Sequence, residues 1–329
     1  MDSVLEHDHA HARLQLLERR ERLETVMTQA PDATALARLL ADVDAALGRI
    51  EGGTFGICDV CQSTVEPARL AADPLIRTCL DCMSAAEHRA LERDLDLARD
   101  VQRRLLPPAS FQVEGWDGHY RYEPAGTASG DYVDLLPLDS GELLFLIGDV
   151  SGKGVAASLL MTHLHAIFRS LVSLQLPFAE LMQRANRIFY DSVGGTQYAT
   201  LLCGKASPCG DIELANAGHC PPILLQRQTA ATLPPTSVPL GLFAHSPFPT
   251  LRLSLAVGDS LLMYTDGITE AVDARGSEYG RSRLIAAADY RDGASAADVV
   301  ARCVADVEQF RADPRRRDDV TVFVLRRRA

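Results

Sequence analysis

Positive charge is what this chain has least to spare. Its 329 residues hold 33 Lys and Arg against 44 Asp and Glu, a formal net charge of -11. Binding along a phosphate backbone needs clustered cations, so no nucleic-acid partner is expected. Apolar runs of bilayer-crossing length are missing, and the opening stretch MDSVLEHDHAHARL is charged and has no hydrophobic segment of the signal-peptide kind. The expectation is therefore no membrane association and a cytoplasmic location. Internal repeats and low-complexity tracts are also lacking, which excludes a repeat array. Cysteine is sparse and uneven: Cys58, Cys61, Cys79 and Cys82 lie close together, while Cys203, Cys209, Cys220 and Cys303 are scattered. In a reducing compartment the close set reads as a metal site rather than a disulfide framework, and the scattered four as small buried apolar residues.

The length exceeds what one hydrophobic core usually organises, and 47% hydrophobic residues are ordinary for globular protein. Two folded units are the starting expectation. Apolar residues at helical spacing predict one helix from about Ser3 to Gln29 and a second from Asp32 to Ile50, separated by Ala30-Pro31-Asp32 and stopped by Gly52 and Gly53. Residues 1–53 thus read as a helical hairpin, 54–83 as a cysteine-bearing ribbon and 84–108 as a linker helix. The linker's stripe Leu91, Leu95, Ala98, Val101 and Leu105 has two readings, packing on the chain's own domains or a coiled coil with a second copy. Residues 109–329 change texture to short apolar runs such as ELLFLIGDV, SLLMYTDG and VTVFVLRR, with amphipathic stretches at Val155 to Leu174, Phe178 to Val193 and Ala294 to Phe310. This predicts an α+β domain of antiparallel strands layered with helices.

Cys58-x2-Cys61 and Cys79-x2-Cys82, seventeen residues apart, present two thiolate pairs on short knuckles. That spacing suits one tetrahedral, structural Zn²⁺ with no open position for catalysis. The run AALGRIEGGTFGICDVCQSTVEPARLAADPLIRTCLDC resembles the zinc-finger region of the DksA/TraR family, and the helices before it resemble that family's coiled-coil hairpin. The resemblance implies a hairpin tip that enters the secondary channel of RNA polymerase. Here the tip is TQAPDATALA, with Asp32 its only acid.

Four acidic motifs close predicted strands: Ser129-Gly130-Asp131-Tyr132-Val133-Asp134, Gly148-Asp149-Val150-Ser151, Tyr264-Thr265-Asp266-Gly267 and Arg317-Asp318-Asp319-Val320-Thr321. Each alone has a bland reading as a turn or a solvated strand entry. Apolar runs ending in Asp set carboxylates at a sheet rim, and several convergent carboxylates repel one another unless cations lie between them. All-oxygen donors favour Mg²⁺ or Mn²⁺, and a two-ion centre suits hydrolysis of a phosphate monoester. Gly152-Lys153-Gly154 is not a P-loop, because Gly148 stands too close before it and Gly154 replaces the Ser or Thr.

The ordered set GDYVD, GDVSGKG, NAGHCPP, PLGL, YTDGITEA, EYGRSRL and DDVTVFVL resembles the SpoIIE/RsbU branch of the PPM (protein phosphatase 2C-like) phosphatases. That resemblance implies two packed antiparallel sheets flanked by helices, an αββα sandwich, with two Mn²⁺ or Mg²⁺ ions. It also implies that Asp149 bridges both ions, that Val150 lends its carbonyl, that Asp266 and Asp318 complete the shell of the second ion, and that Asp131 holds water bound to the metals. Asp131, Asp149, Asp266 and Asp318 are accordingly the expected catalytic set. Ser129 stands where the branch usually has a second Gly, and Ser151 where eukaryotic relatives have a histidine, which leaves the general acid unassigned. His219 reads either as a contact near the site or as a loop-ordering residue. Arg315, Arg316 and Arg317 read as a solvated loop or a surface for an acidic or phosphorylated partner. The implied activity is that of a protein serine/threonine phosphatase, with a phosphorylated anti-sigma-factor antagonist as substrate. The alternative is an RNA-polymerase-binding regulator whose phosphatase-like domain is inert.

Overall fold

A computed structural model describes residues 2–29, 34–152, 154–227, 229–288, 294–312 and 318–329; Asp32, Lys153 and Arg315 to Arg317 lie outside these. The chain divides into two compact units, 1–93 and 94–329. In the first, α1 (Asp2–Gln29) and α2 (Thr34–Glu51) form a hairpin. Their helical periodicity brings Leu16 and Leu23 of one helix against Val43, Ala46 and Leu47 of the other. Gly53, at φ 67°, turns the chain out of α2 while the Thr54 amide bonds back to the Arg49 carbonyl at 2.9 Å. A short helix not anticipated from the sequence, α3 (Pro67–Ala72), starts on Pro67 inside the cysteine segment. Ser84 and Glu87 cap the start of α4 (Ala85–Leu105) reciprocally, at 3.3 and 2.7 Å. The border between the units falls inside α4. Of its expected apolar stripe, Leu91 and Val101 are exposed, and the helix's buried residue is a polar one, Gln102.

The second unit runs β1 (Ser110–Val113), β2 (Trp116–Glu123), β3 (Asp131–Pro137), β4 (Leu143–Val150), α5 (Gly154–Val172), α6 (Phe178–Val193), β5 (Ala199–Ala206), β6 (Asp211–Ala217), β7 (Ile223–Gln226), β8 (Thr229–Thr232), β9 (Leu251–Ser254), β10 (Ser260–Tyr264), α7 (Asp266–Thr269), α8 (Gly280–Ala288), α9 (Ala296–Phe310) and β11 (Val320–Arg327). Two sheets result, ordered β1-β2-β11-β10-β7-β8 and β3-β4-β5-β6-β9, with neighbouring strands antiparallel. The expected α+β sandwich of antiparallel sheets is what the chain adopts. Strand alternation sorts its side chains into three cores. Val133, Leu135, Phe145, Ile147, Leu202, Met263, Phe323 and Leu325 meet between the sheets. The outer face of the five-stranded sheet, with Tyr132, Leu146 and Leu201, is covered by α5 and α6. The outer face of the six-stranded sheet, with Leu262, Tyr264 and Val322, is covered by α7, α8 and α9.

Two expectations need correcting. The 19-residue α5, with a mean hydropathy of 1.4, is long and apolar enough to cross a membrane by length and composition. The sequence reading missed it because His, Ser, Thr and Arg are interspersed along it; here Met161, Leu164, Ile167, Phe168 and Leu171 are buried in the core between the five-stranded sheet and α6. Nor are all four scattered cysteines buried: Cys203 and Cys303 are, Cys220 is partly so, and Cys209 is exposed in the turn between β5 and β6.

A buried charge fastens α5 to β3. Asp134 has no exposed surface, and its carboxylate takes two bonds from the Arg169 guanidinium, at 2.7 and 3.1 Å, and one from the Tyr132 hydroxyl at 3.2 Å. The acid of the GDYVD motif that faces outward is thus a structural one, its direction set by the one-residue alternation that turns Asp131 inward. Replacing Arg169 by Leu leaves this carboxylate without its counter-ion. Urea denaturation is expected to show a loss of about 3 kcal/mol, whereas Asp134→Asn combined with Arg169→Leu recovers part of it.

Candidate metal centre

The inward face of the five-stranded sheet is apolar until its rim. Along β4, Leu143, Phe145 and Ile147 point between the sheets, and the next position of that parity is Asp149. The register pairs Asp149 with Asp131 on β3 and with Thr200 on β5. Two carboxylates therefore stand side by side, with Cβ atoms about 4.5–5.5 Å apart as for any directly opposed pair. On the facing sheet the same parity places Thr265 after Met263 and Thr321 before Phe323. Both threonine hydroxyls donate to Asp131 Oδ2, Thr265 at 3.0 Å and Thr321 at 2.5 Å, and so bridge the sheets. The Thr321 amide also donates to Thr265 Oγ1 at 3.0 Å, and the Thr265 amide to the Thr321 carbonyl at 3.0 Å.

Asp266 follows Thr265 as the first residue of α7, and Asp318 stands just before β11. Gly267 makes their approach possible: a Cβ there would lie 2.0 Å from the Asp319 carbonyl oxygen and 3.3 Å from Asp318 Cβ. Gly130 has a similar part on the other sheet. A Cβ on it would lie 3.0 Å from both Asp149 Oδ1 and the Val150 carbonyl oxygen, so only a glycine leaves those two oxygens clear. The structure thus brings Asp131 and Asp149 together across β3 and β4, sets Gly267, which follows Asp266, against Asp318, and ties Asp131 to the strand ends next to Asp266 and Asp319 through the Thr265 and Thr321 hydroxyls. Val150 is buried with its side chain on the α5 side, which leaves its carbonyl at the rim.

Asp131 is held far above the usual carboxylate range, first by burial and then by the charges of Asp149 and Asp319; the Thr321 and Thr265 hydroxyls oppose the rise. Such a site takes a proton or a cation. Carboxylates with one main-chain carbonyl form an all-oxygen donor set, which fits Mg²⁺ or Mn²⁺ rather than zinc.

Sequence reasoning missed several supporting residues. Thr265 and Thr321 were legible in principle, since each continues the inward parity of a strand next to an acid. Gln102 gave no signal, being one polar residue in a charged amphipathic helix. Its amide lies against the main chain of Ser129, donating to the carbonyl at 2.6 Å and accepting from the N–H at 3.1 Å. Ser129 Oγ in turn accepts from the Asp131 amide at 3.0 Å, so the serine that departs from the usual glycine holds the segment.

His219 has both of its expected characters. Asn216 takes its amide at 2.8 Å and donates to its carbonyl at 3.1 Å, ordering the loop, while the ring Nδ1 lies 2.9 Å from Thr200 Oγ1, directly behind Asp149. Burial pushes the imidazole down to about 4, so it is neutral near pH 7 and holds no proton to donate as an imidazolium. Cys220 is pushed up to about 12 by burial and the charges of Asp266 and Glu270, and remains a thiol.

The other cluster, in the first unit, gathers the sulfurs of Cys58, Cys61, Cys79 and Cys82 within 4.8 Å of one another. Four thiolates at about 2.3 Å from one zinc require that spacing. Bonds from the Cys61 and Cys79 amides lower the Cys58 thiol to about 6, whereas contact with Cys61 and Cys79 pushes Cys82 up to about 12. Four thiols this close cannot all ionise without a cation among them. Among the described residues, Val65, Leu70 and Ile76 pack with these cysteines, too small a core to hold the ribbon without metal.

The family model described as Stage II sporulation protein E (SpoIIE) matches residues 139–328, and that of the prokaryotic dksA/traR C4-type zinc finger matches 53–88. Among curated proteins, the chain is similar to Protein IcfG of Synechocystis (26% identical, covering 58% of this chain and 35% of that protein). It is also similar to phosphoserine phosphatases RsbP (30% identical, 54% and 46%) and RsbU (25% identical, 75% and 76%) of Bacillus subtilis. The chain spans less than half the length of IcfG and of RsbP. Among solved structures, the RsbU and RsbW domains of a Mycobacterium tuberculosis protein superpose with a TM-score of 0.56 at 29% identity, over 67% of this chain and 62% of that one. The SiaA-PP2C domain of Pseudomonas aeruginosa gives 0.63 at 18% identity, over 74% and 99%.

The electrostatics of Asp131 are testable without any assay of activity. Its ionised form is a cost to the metal-free fold above the unfolded carboxylate range, a cost that fades as pH falls toward 4. Asp131→Asn keeps the acceptor for both threonines and removes the charge. In the zinc-loaded chain without Mn²⁺ or Mg²⁺, calorimetry at pH 7 is expected to show the variant melting about 2–4 °C higher than wild type, with the gap closing toward pH 4.

Proposed function

The chain belongs to the SpoIIE family, and from that membership we propose that it is a metal-dependent protein phosphatase that removes phosphate from phosphoserine or phosphothreonine. The observation that carries the reading is the cross-strand pair Asp131 and Asp149 at the rim of the inter-sheet core, with the Thr265 and Thr321 hydroxyls of the opposite sheet bonded to Asp131. In this reading Asp149, Asp266, Asp318 and the Val150 carbonyl hold two Mn²⁺ or Mg²⁺ ions, with Asp131 beside them. Those ions would supply charge neutralisation and activation of water for attack on a phosphate monoester. The chain's own residues set the stage for that chemistry. Thr265 and Thr321 fix one oxygen of Asp131, Gly130 and Gly267 clear space for the oxygens of their neighbours, and the apolar layer below keeps water out and strengthens attraction between acids and cations.

The kinship with RsbU and RsbP supports a phosphorylated regulatory protein as substrate, and an anti-sigma-factor antagonist in a partner switch is the proposed one. A cytoplasmic setting and a catalytic part within residues 109–329 belong to the same reading. For the expected assay, Asp149→Ala should lower Mn²⁺-dependent hydrolysis of a phosphoserine peptide by more than about 100-fold, the upper range for changes outside the ligand shell; full activity in that variant ends the proposal.

We further propose that the zinc-finger module regulates the enzyme through α4, with the exposed Leu91 and Val101 as the seam for a second copy. Support comes from Gln102, in the last turns of that helix, whose amide grips Ser129 two residues from Asp131. Removing residues 1–83 is expected to change turnover and the oligomeric state seen in sedimentation. Unchanged values for both would refute this control.

A further inference from the structure

The motif that opens β11 holds two adjacent acids, and they do different work. Asp318 stands against Gly267 and the start of α7. Asp319 reaches back across 194 and 189 residues of sequence: its Oδ1 accepts from the Ala125 amide at 2.7 Å and its Oδ2 from the Gly130 amide at 3.0 Å. Each oxygen thus carries a main-chain N–H from the segment that leads into β3. That segment is the floor of the metal site, because the missing Cβ of Gly130 faces Asp149 Oδ1 and the Val150 carbonyl. Gly130 is held on its other side as well, its carbonyl accepting from the Val150 amide at 3.2 Å.

We propose that Asp319 is a positioning residue for the metal pair: its carboxylate clasps the Ala125 to Gly130 segment, which leads into β3 of one sheet, to the residue just before β11 of the other. The clasp fixes how far Asp131 and Asp149 stand from Asp266 and Asp318. Thr321, two residues further along β11, completes it by bonding Asp131 itself. A carboxylate suits this role because it offers an acceptor on each oxygen, whereas an amide offers only one and turns an N–H toward the second amide. Residues that hold the ligands of a metal tune its affinity by about 10- to 100-fold.

This inference rests on the phosphatase reading of the site, and the test separates the two. Mn²⁺ is titrated calorimetrically into the zinc-loaded full chain as wild type, Asp319→Asn, Asp319→Glu and Asp318→Asn, with melting temperature and phosphopeptide hydrolysis recorded for each. The expected result is that Asp319→Asn binds Mn²⁺ about 10- to 100-fold more weakly yet recovers most of its turnover at saturating Mn²⁺, while Asp318→Asn does not recover. Asp319→Glu, with the charge kept and the carboxylate displaced, should also bind more weakly. Three outcomes overturn the assignment: wild-type affinity in Asp319→Asn, with or without a lower melting temperature; wild-type affinity in Asp319→Glu combined with loss in Asp319→Asn, which would make charge alone responsible; and loss that saturating Mn²⁺ does not repair, which would make Asp319 a ligand. If wild type itself binds no Mn²⁺, the reading of the site falls, and the role of Asp319 with it.

Discussion

Carboxylates crowded at the edge of an apolar layer repel one another in a medium that screens them poorly, and the second unit is arranged around that difficulty. Asp131 and Asp149 are forced together by strand register, since the alternation that buries Val133, Phe145 and Ile147 turns both acids inward. The fold offsets part of the repulsion with hydrogen-bond donors. Two hydroxyls serve Asp131, and two main-chain amides serve Asp319. The remainder, seen in the raised affinity of Asp131 for a proton, is what a divalent cation would relieve. Repulsion among the rim acids and their affinity for a cation are two aspects of one electrostatic fact.

The same physics operates on a smaller scale in the ribbon. Four thiols are gathered in a segment whose apolar contacts number only a few side chains, so the energy for ordering it must come from elsewhere. Zinc bound by the ionised thiols would provide it. In one unit a metal would substitute for a core, and in the other a large core carries the crowded carboxylates on its edge.

Packing also explains which acids are not at the site. Asp134 differs from Asp131 by three positions, and that odd interval sends it to the opposite face of β3, where Arg169 neutralises it. Gly130 and Gly267 show a complementary constraint, because close approach of main chain to carboxylates excludes any side chain there. The site is therefore defined as much by what cannot fit as by what is present.

The longer helices, the main apolar strands, the thiol cluster and the identity of the acid-bearing motifs were determined by the sequence alone, because periodicity, turn residues and knuckle spacing act over a few neighbouring positions. The boundaries of α1 and α2 lie within two residues of those expected for this reason, whereas α3 escaped because six residues in a metal-held ribbon carry almost no periodic signal. Only the tertiary structure decided that α5, apolar enough to suggest a membrane, is a core helix, and that Asp134 is structural. It alone revealed Gln102 on Ser129, 27 residues away, Asp319 on Gly130, 189 away, and Thr321 on Asp131, 190 away. Those contacts depend on which strand lies beside which, and in what register, a choice made by the burial of whole sheets and not by any local run of residues.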